Sequence, residues 1–202
     1  MPHPPRPHRP KRRITLAALA VAWALAPAPS TLADAGATMA AQTFIDPQYG
    51  FTLSWPEGDW WRVPLPGGGL PLRVKLMRAG MPDATCSAGA GAANRLQGLP
   101  QPLTPEAVTD ADILRGLSAV YPNARLVKRY RTRLGAHPAL LIAYGYTLDL
   151  VATQVAFSGW GVAAVRDGTV YVAECNALTS RFPALGGALH QVLGSLRLPT
   201  GK

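Results

Sequence analysis

Between Ala124 and Ala177 the chain runs through four consecutive strand-like segments, Ala124 to Leu134, His137 to Leu148, Val151 to Ala164 and Thr169 to Ala177, joined by turns around Gly135, Asp149 and Asp167-Gly168. A parallel crossover needs a dozen or more residues, so turns this short impose antiparallel pairing between neighbours. Upstream, Leu-Arg-Val-Lys-Leu-Met at Leu72 to Met77 alternates apolar and basic residues, the period-two pattern of a strand with one dry face. Thr85 to Ala90, built of small residues around Cys86, is a further strand. Thr43 to Ile45 and Phe51 to Trp55 flank a Pro- and Gly-containing turn and read as a hairpin, followed by Trp60-Trp61-Arg62-Val63. Pro64 to Pro71 and Gly91 to Pro102 read as loops.

Two segments have helical spacing. Thr104-Pro105-Glu106 offers an N-cap and a proline at the first helical position, and from Asp110 onward Ile113, Leu114, Leu117 and Val120 form one apolar stripe that ends at Pro122. A second helix is expected to begin at Ser180 and to bury Phe182, Leu185, Leu189, Val192 and Leu193. The expected class is α+β: a central curved antiparallel sheet flanked by helices.

The first 35 residues are expected to be an export signal. A basic run (Arg6, Arg9, Lys11, Arg12, Arg13) meets the uncharged apolar segment Ile14 to Ala26, and Ala33-Asp34-Ala35 has the A-x-A form that places cleavage before Gly36. A spanning helix needs about 20 apolar residues, more than this run contains. Arg12-Arg13 is a twin-arginine pair, but Thr15 stands where that route favours an aromatic, so ordinary Sec export is preferred. Residues 36–42 would be a flexible leader and 43–199 a single domain, in the periplasm or outside the cell, with no integral membrane span after cleavage. The mature chain then keeps fifteen basic and ten acidic residues, a net charge of +5, which argues against nucleic acid as a partner.

Cys86 and Cys175 are the only cysteines, and both fall in strands of an exported protein, so a single disulfide is expected. A redox-active pair usually has C-x-x-C spacing, which is missing here. Trp60 and Trp61 are successive in an extended segment and point to opposite faces, one to the core and the other a candidate anchor for a partner. Arg129, Arg131 and Arg133 share one face of a strand with Lys128 beside them. Such a ribbon suits an anionic partner, while the plainer reading is that cations deter edge-to-edge strand pairing. The candidate partner surface is therefore Trp60, Trp61, Lys128, Arg129, Arg131 and Arg133.

Phe44-Ile45-Asp46, Tyr49-Gly50-Phe51 and Trp55-Pro56-x-Gly-x-Trp60 resemble the opening of the PsbP-like superfamily, and Leu193-Gly194-Ser195-Leu196-Arg197 is similar to its ending. The resemblance covers Thr43 to Leu198. It implies an α/β/α sandwich and, since members are mostly non-enzymatic, a binding or adaptor role; it brings no catalytic residues and no cofactor.

Catalytic motifs are missing from the residues themselves. His137 and His190 lack H-x-H or H-x-x-x-H spacing, and the segment around Ser158 lacks the glycines of a nucleophile elbow. Gly89-x-Gly91 is a fragment of a dinucleotide fingerprint, and Gly67-Gly68-Gly69 lacks the Lys-Ser/Thr of a phosphate loop. The expected function is an exported, non-catalytic binding or adaptor protein of the bacterial envelope, whose partner is another envelope or exported protein. The alternative is a small periplasmic hydrolase or other enzyme with an unrecognised site.

Overall fold

The computed structural model describes residues 41–65, 72–93, 104–150 and 153–200. The expected signal segment, most of the Pro64 to Pro71 loop and residues 94–102 of the Gly91 to Pro102 connection lie outside the described residues. Nine strands and two helices follow in the order β1 (Ala41–Ile45), β2 (Thr52–Pro56), β3 (Trp60–Val63), β4 (Leu72–Arg78), β5 (Met81–Ala92), α1 (Asp110–Val120), β6 (Arg125–Leu134), β7 (His137–Leu150), β8 (Thr153–Arg166), β9 (Thr169–Leu178) and α2 (Phe182–Gly194). Strand β1 thus starts two residues before Thr43, because Ala41 and Gln42 pair with Pro56 and Trp55. Gly91 and Ala92 belong to β5 rather than to a loop.

Seven strands form one sheet in the order β3-β4-β5-β9-β8-β7-β6, and β1 and β2 form a separate hairpin. The ladder pairings of the large sheet are antiparallel throughout, including the meander from β6 to β9. The sheet's two halves meet at β5 and β9, where Cys86 stands directly opposite Cys175 and the two are joined as a disulfide with Cα atoms 4.0 Å apart. Closing a loop of 89 residues in the unfolded chain is worth about 2–4 kcal/mol.

Register divides the sheet into two faces. Leu76, Cys86, Cys175 and Trp160 form one row of one face, with Val74, Ala88, Ala173 and Val162 in the next equivalent row. These residues join Phe182, Leu185, Leu189, Val192 and Leu193 of α2 and Phe51, Leu53 and Trp55 of the hairpin region in the main core. The opposite face carries Leu140, Tyr144 and Tyr146, packed with Ile113 and Leu117 of α1 in a smaller cluster.

The α2 stripe matches the sequence reading, but Ser180 is not its cap. The N-cap is Arg181, with no side-chain cap bond, and Pro183 fits the first turn because no intrahelical N–H is required there. Thr104 likewise opens only a single turn, its hydroxyl and carbonyl accepting from the Ala107 N–H. The cap that starts α1 is Thr109, in a reciprocal box with Asp112: the Asp112 N–H donates to Thr109 Oγ1 (3.2 Å), and the Thr109 N–H donates to Asp112 Oδ2 (3.0 Å). The Thr109 hydroxyl, which donates to Asp112 Oδ2 (2.7 Å), and then the Thr109 N–H hold the Asp112 carboxyl below its usual range. Of the expected α1 stripe, Ile113 and Leu117 are buried while Leu114 and Val120 are exposed.

The hairpin is fastened to the sheet by Asp46. Its side chain is fully buried; Oδ1 accepts from the N–H groups of Gln48 (3.0 Å) and Tyr49 (2.6 Å), and Oδ2 pairs with Arg73 Nε of β4 (2.7 Å). Gly50, at φ +69°, closes the turn by donating its N–H to the Asp46 carbonyl. At the far end, Arg197 and Thr52 exchange both backbone hydrogen bonds at 2.9 Å, and Ser195 Oγ accepts from the Ser54 N–H, so the tail after α2 lies along β2.

Asp46→Ala would orphan two backbone donors and a guanidinium and is expected to lower unfolding stability by about 2–4 kcal/mol, whereas Asp46→Asn keeps an acceptor for the turn and should lose about half as much. Urea unfolding followed by circular dichroism distinguishes the two; equal losses would mean that the turn bonds contribute nothing.

Candidate binding cavity

Helix α1 is 11 residues long and lies on a seven-stranded sheet, so it cannot cover the whole of its face. It lies chiefly against β6, and a cavity of about 630 Å³ opens between the helix and strands β4, β5, β9, β8 and β7. Small-molecule sites fall in this size range. Small residues deepen the floor: Ser87 of β5 and Gly161 of β8 lie in one row on either side of Glu174, with Ala163 in the next row of that face, while Val165, Val170, Val172 and Leu140 supply an apolar wall.

The polar end is built on Glu174, the one acidic residue of β9. Its Oε1 accepts from Tyr121 OH (2.6 Å) and Ser87 Oγ (3.3 Å), and Oε2 accepts from Tyr144 OH (3.2 Å). Two residues along β9, Asn176 Oδ1 accepts from Tyr146 OH (3.3 Å) and Thr85 Oγ1 (3.2 Å). Tyr121, at the C-cap of α1, stacks on Tyr146 with ring centroids 4.4 Å apart, and Tyr146 stacks on Phe157 at 4.9 Å. Tyr144 lies flat over its cross-strand partner Gly159, where an added Cβ would come within 2.5 Å of the ring. Glycine is therefore required for this close approach.

Burial, followed by the nearby Glu174 charge, raises the pKa of all three phenols: Tyr121 and Tyr144 strongly, and Tyr146 to about 12. They act as hydrogen-bond donors at neutral pH. The same row of the sheet carries Lys75 opposite Ser87, and Ser87 opposite Glu174. Lys75 lines the cavity half-buried, and among the described residues neither Lys75 nor Glu174 has an ion-pair partner.

The candidate surface residues named from sequence are not brought together. Trp60 is 3% exposed and leaves the surface set; its Nε1 finds no hydrogen-bond partner among the described residues. Trp61 is 46% exposed on β3, at one edge of the sheet, and Lys128, Arg129, Arg131 and Arg133 are exposed on β6, at the other. Arg129 pairs with Asp110 (3.1 Å) and donates to the Val108 carbonyl, so it holds the start of α1. Arg133 donates to the Ala136 carbonyl in the β6–β7 turn, and Lys128 sits 4.8 Å from the Tyr130 ring centroid. His190 stands edge-on to Trp160 on the other face, its pKa lowered by burial. No group of three or more potential metal ligands occurs among the described residues.

The cavity residues were missed from sequence because a lone Glu in an apolar strand and a Tyr-Gly-Tyr alternation carry no motif. Their signal is the polar residues at alternate positions, Glu174 and Asn176, on a strand otherwise fit for burial on both faces.

At alkaline pH the raised phenol pKa values become a stability term. The folded state holds these protons more tightly than the unfolded chain, so the contribution is intact below about pH 10 and is lost as pH rises toward and beyond 12. Ultraviolet difference titration should show Tyr121, Tyr144 and Tyr146 ionising only as the fold is lost; full ionisation of these residues near pH 10 in folded protein would contradict their burial beside Glu174.

No protein-family model and no curated protein sequence matches the chain. Among solved structures, cyanobacterial PsbP (CyanoP) from Synechocystis sp. PCC 6803 superposes with a TM-score of 0.56 at 15% identity, over 82% of this chain and 96% of that one. LpqN, involved in cell envelope biogenesis of Mycobacterium tuberculosis, gives 0.47 at 16% identity, over 79% and 92%. PA94 of Pseudomonas aeruginosa, described as a putative regulator, gives 0.44 at 17% identity, over 80% and 99%. Likeness at these identities speaks to the fold alone, and with the hairpin, sheet order and helices described above it makes this a PsbP-like fold.

Proposed function

We propose that the chain is an exported, non-catalytic binding protein of the bacterial envelope, and that the cavity beneath α1 is its site. The observation that carries this reading is the apolar chamber of about 630 Å³ whose polar end is already hydrogen-bonded around Glu174. Phenols held protonated serve as fixed donors and are poor bases, which suits recognition better than turnover. In this reading the two helices are the outer layers of an α/β/α sandwich, residues 1–35 are removed on export, the leader expected at 36–42 ends before β1 begins at Ala41, and the working domain runs from there to residue 199. The disulfide supports an oxidising compartment. Trp61 and the basic β6 edge are the surfaces available to an envelope-protein partner, with the cations of β6 also guarding an open strand edge.

Expression of the full chain in a Gram-negative host tests the reading. The expected product is periplasmic, begins at Gly36, resists alkylation until reduced, and takes up an uncharged apolar fluorophore such as N-phenylnaphthylamine. A cytoplasmic product with an intact leader and two free thiols would remove the export proposal, and failure to bind the fluorophore would remove the cavity as a site.

A further inference from the structure

Two opposite charges face the cavity without meeting. Lys75 and Glu174 share one row of the sheet with Ser87 between them, two strand spacings apart, which sets their Cα atoms at about 10 Å. The Lys75 ammonium has no hydrogen-bond or ion-pair partner among the described residues. Glu174 is bonded only by neutral hydroxyls, with one of them on Oε2, so its acceptor capacity is not exhausted and its charge is not neutralised. A partly desolvated carboxylate and ammonium that are not paired with each other favour an occupant that supplies the missing charge to each. Beside them stands a wall with no charge at all: Val165, Val170, Val172 and Leu140.

Resting on the binding reading above, we infer that the cavity accepts a small zwitterion with an apolar body, of the class of the hydrophobic α-amino acids. Its ammonium bonds Glu174 Oε2, its carboxylate meets Lys75, and its side chain lies against the valine wall. Two charge-assisted bonds of about 2.8 Å and the roughly 3 Å between ammonium and carboxylate of an α-amino acid span roughly 8–9 Å, a separation that the flexible Lys75 side chain can adopt from a Cα about 10 Å from that of Glu174. A purely anionic amphiphile would leave Glu174 uncompensated, and a purely cationic one would leave Lys75 so.

Titration calorimetry with L-phenylalanine, its N-acetyl derivative and its amide tests this on the wild-type protein, with displacement of N-phenylnaphthylamine as a parallel readout. The free amino acid should bind, and blocking either end should weaken binding at least tenfold. In Lys75→Gln the acid and the amide should become equal, with Lys75→Arg restoring the preference; in Glu174→Gln, which keeps a carbonyl acceptor, the free and acetylated amines should become equal. If the fluorophore binds but phenylalanine, leucine and tryptophan fail to displace it at millimolar concentration, or if blocking the ends changes nothing, the zwitterion inference is overturned while the cavity reading stands. If the fluorophore itself does not bind, the cavity reading falls first.

Discussion

A carboxylate with no solvent exposure holds the hairpin to the sheet. Asp46 satisfies two N–H groups of its own turn with one oxygen and reaches Arg73 of β4 with the other. A buried charge left alone would cost several kcal/mol, so the turn geometry and the ion pair depend on each other. Arg73 in turn lies 5.7 Å from the Tyr49 ring centroid, which brings a third residue of the same turn into the contact. Fixing this turn places Phe51 and Leu53 in the main core and presents β2 to the tail after α2, whose Arg197 completes the pairing with Thr52. The opening and closing segments of the domain are thus one structural unit, although they lie more than 140 residues apart.

The same logic explains what the sequence made legible. Asp46, Gly50, Trp60 and the Gly194-Ser195 tail are local devices with local signatures, a tight turn, a positive φ, a large apolar side chain and a helix end, so they can be read one at a time. The antiparallel meander was legible because turn length alone forbids the alternative. Helix starts were placed less well. Thr104-Pro105 has the right residue types, but only Thr109 has an acid three residues on that can return the cap bond. Ser180 is not the start of α2 because the apolar burial of that helix is sufficient without a side-chain cap.

The cavity was illegible for a different reason. Glu174, Ser87, Tyr144 and Lys75 come from four strands, and only the sheet order β4-β5-β9-β8-β7 puts them on one face, where Tyr121 reaches Glu174 from the end of α1. Pairing of β5 with β9 joins segments separated by nearly 90 residues, and no local pattern announces it apart from the two cysteines. The basic strand misled in the opposite direction. Arg129, Arg131 and Arg133 share a face as expected, yet Arg129 is spent on Asp110 and Val108, and Arg133 on its own turn, which leaves Arg131 as the member of the three without a hydrogen bond or ion pair among the described residues.

A chamber beneath a helix is ordinarily costly, since the helix could settle onto the sheet and fill it. Here α1 is held at its ends instead. Arg129 of β6 grips Asp110 and the Val108 carbonyl at the start, and Tyr121 OH bonds Glu174 at the finish. Between those points only Ile113 and Leu117 are buried, while Leu114 and Val120 are exposed, Val120 at the cavity's margin. Pro122 follows at once, so the helix cannot extend and the Tyr121 side chain is placed at its terminus, stacked on Tyr146. The polar fastenings therefore set the height of the roof, and the small residues Gly161, Ala163 and Ser87 set the depth of the floor. Larger side chains at those three positions would close the chamber without disturbing the core on the other face, because that core is built from the alternate residues of the same strands.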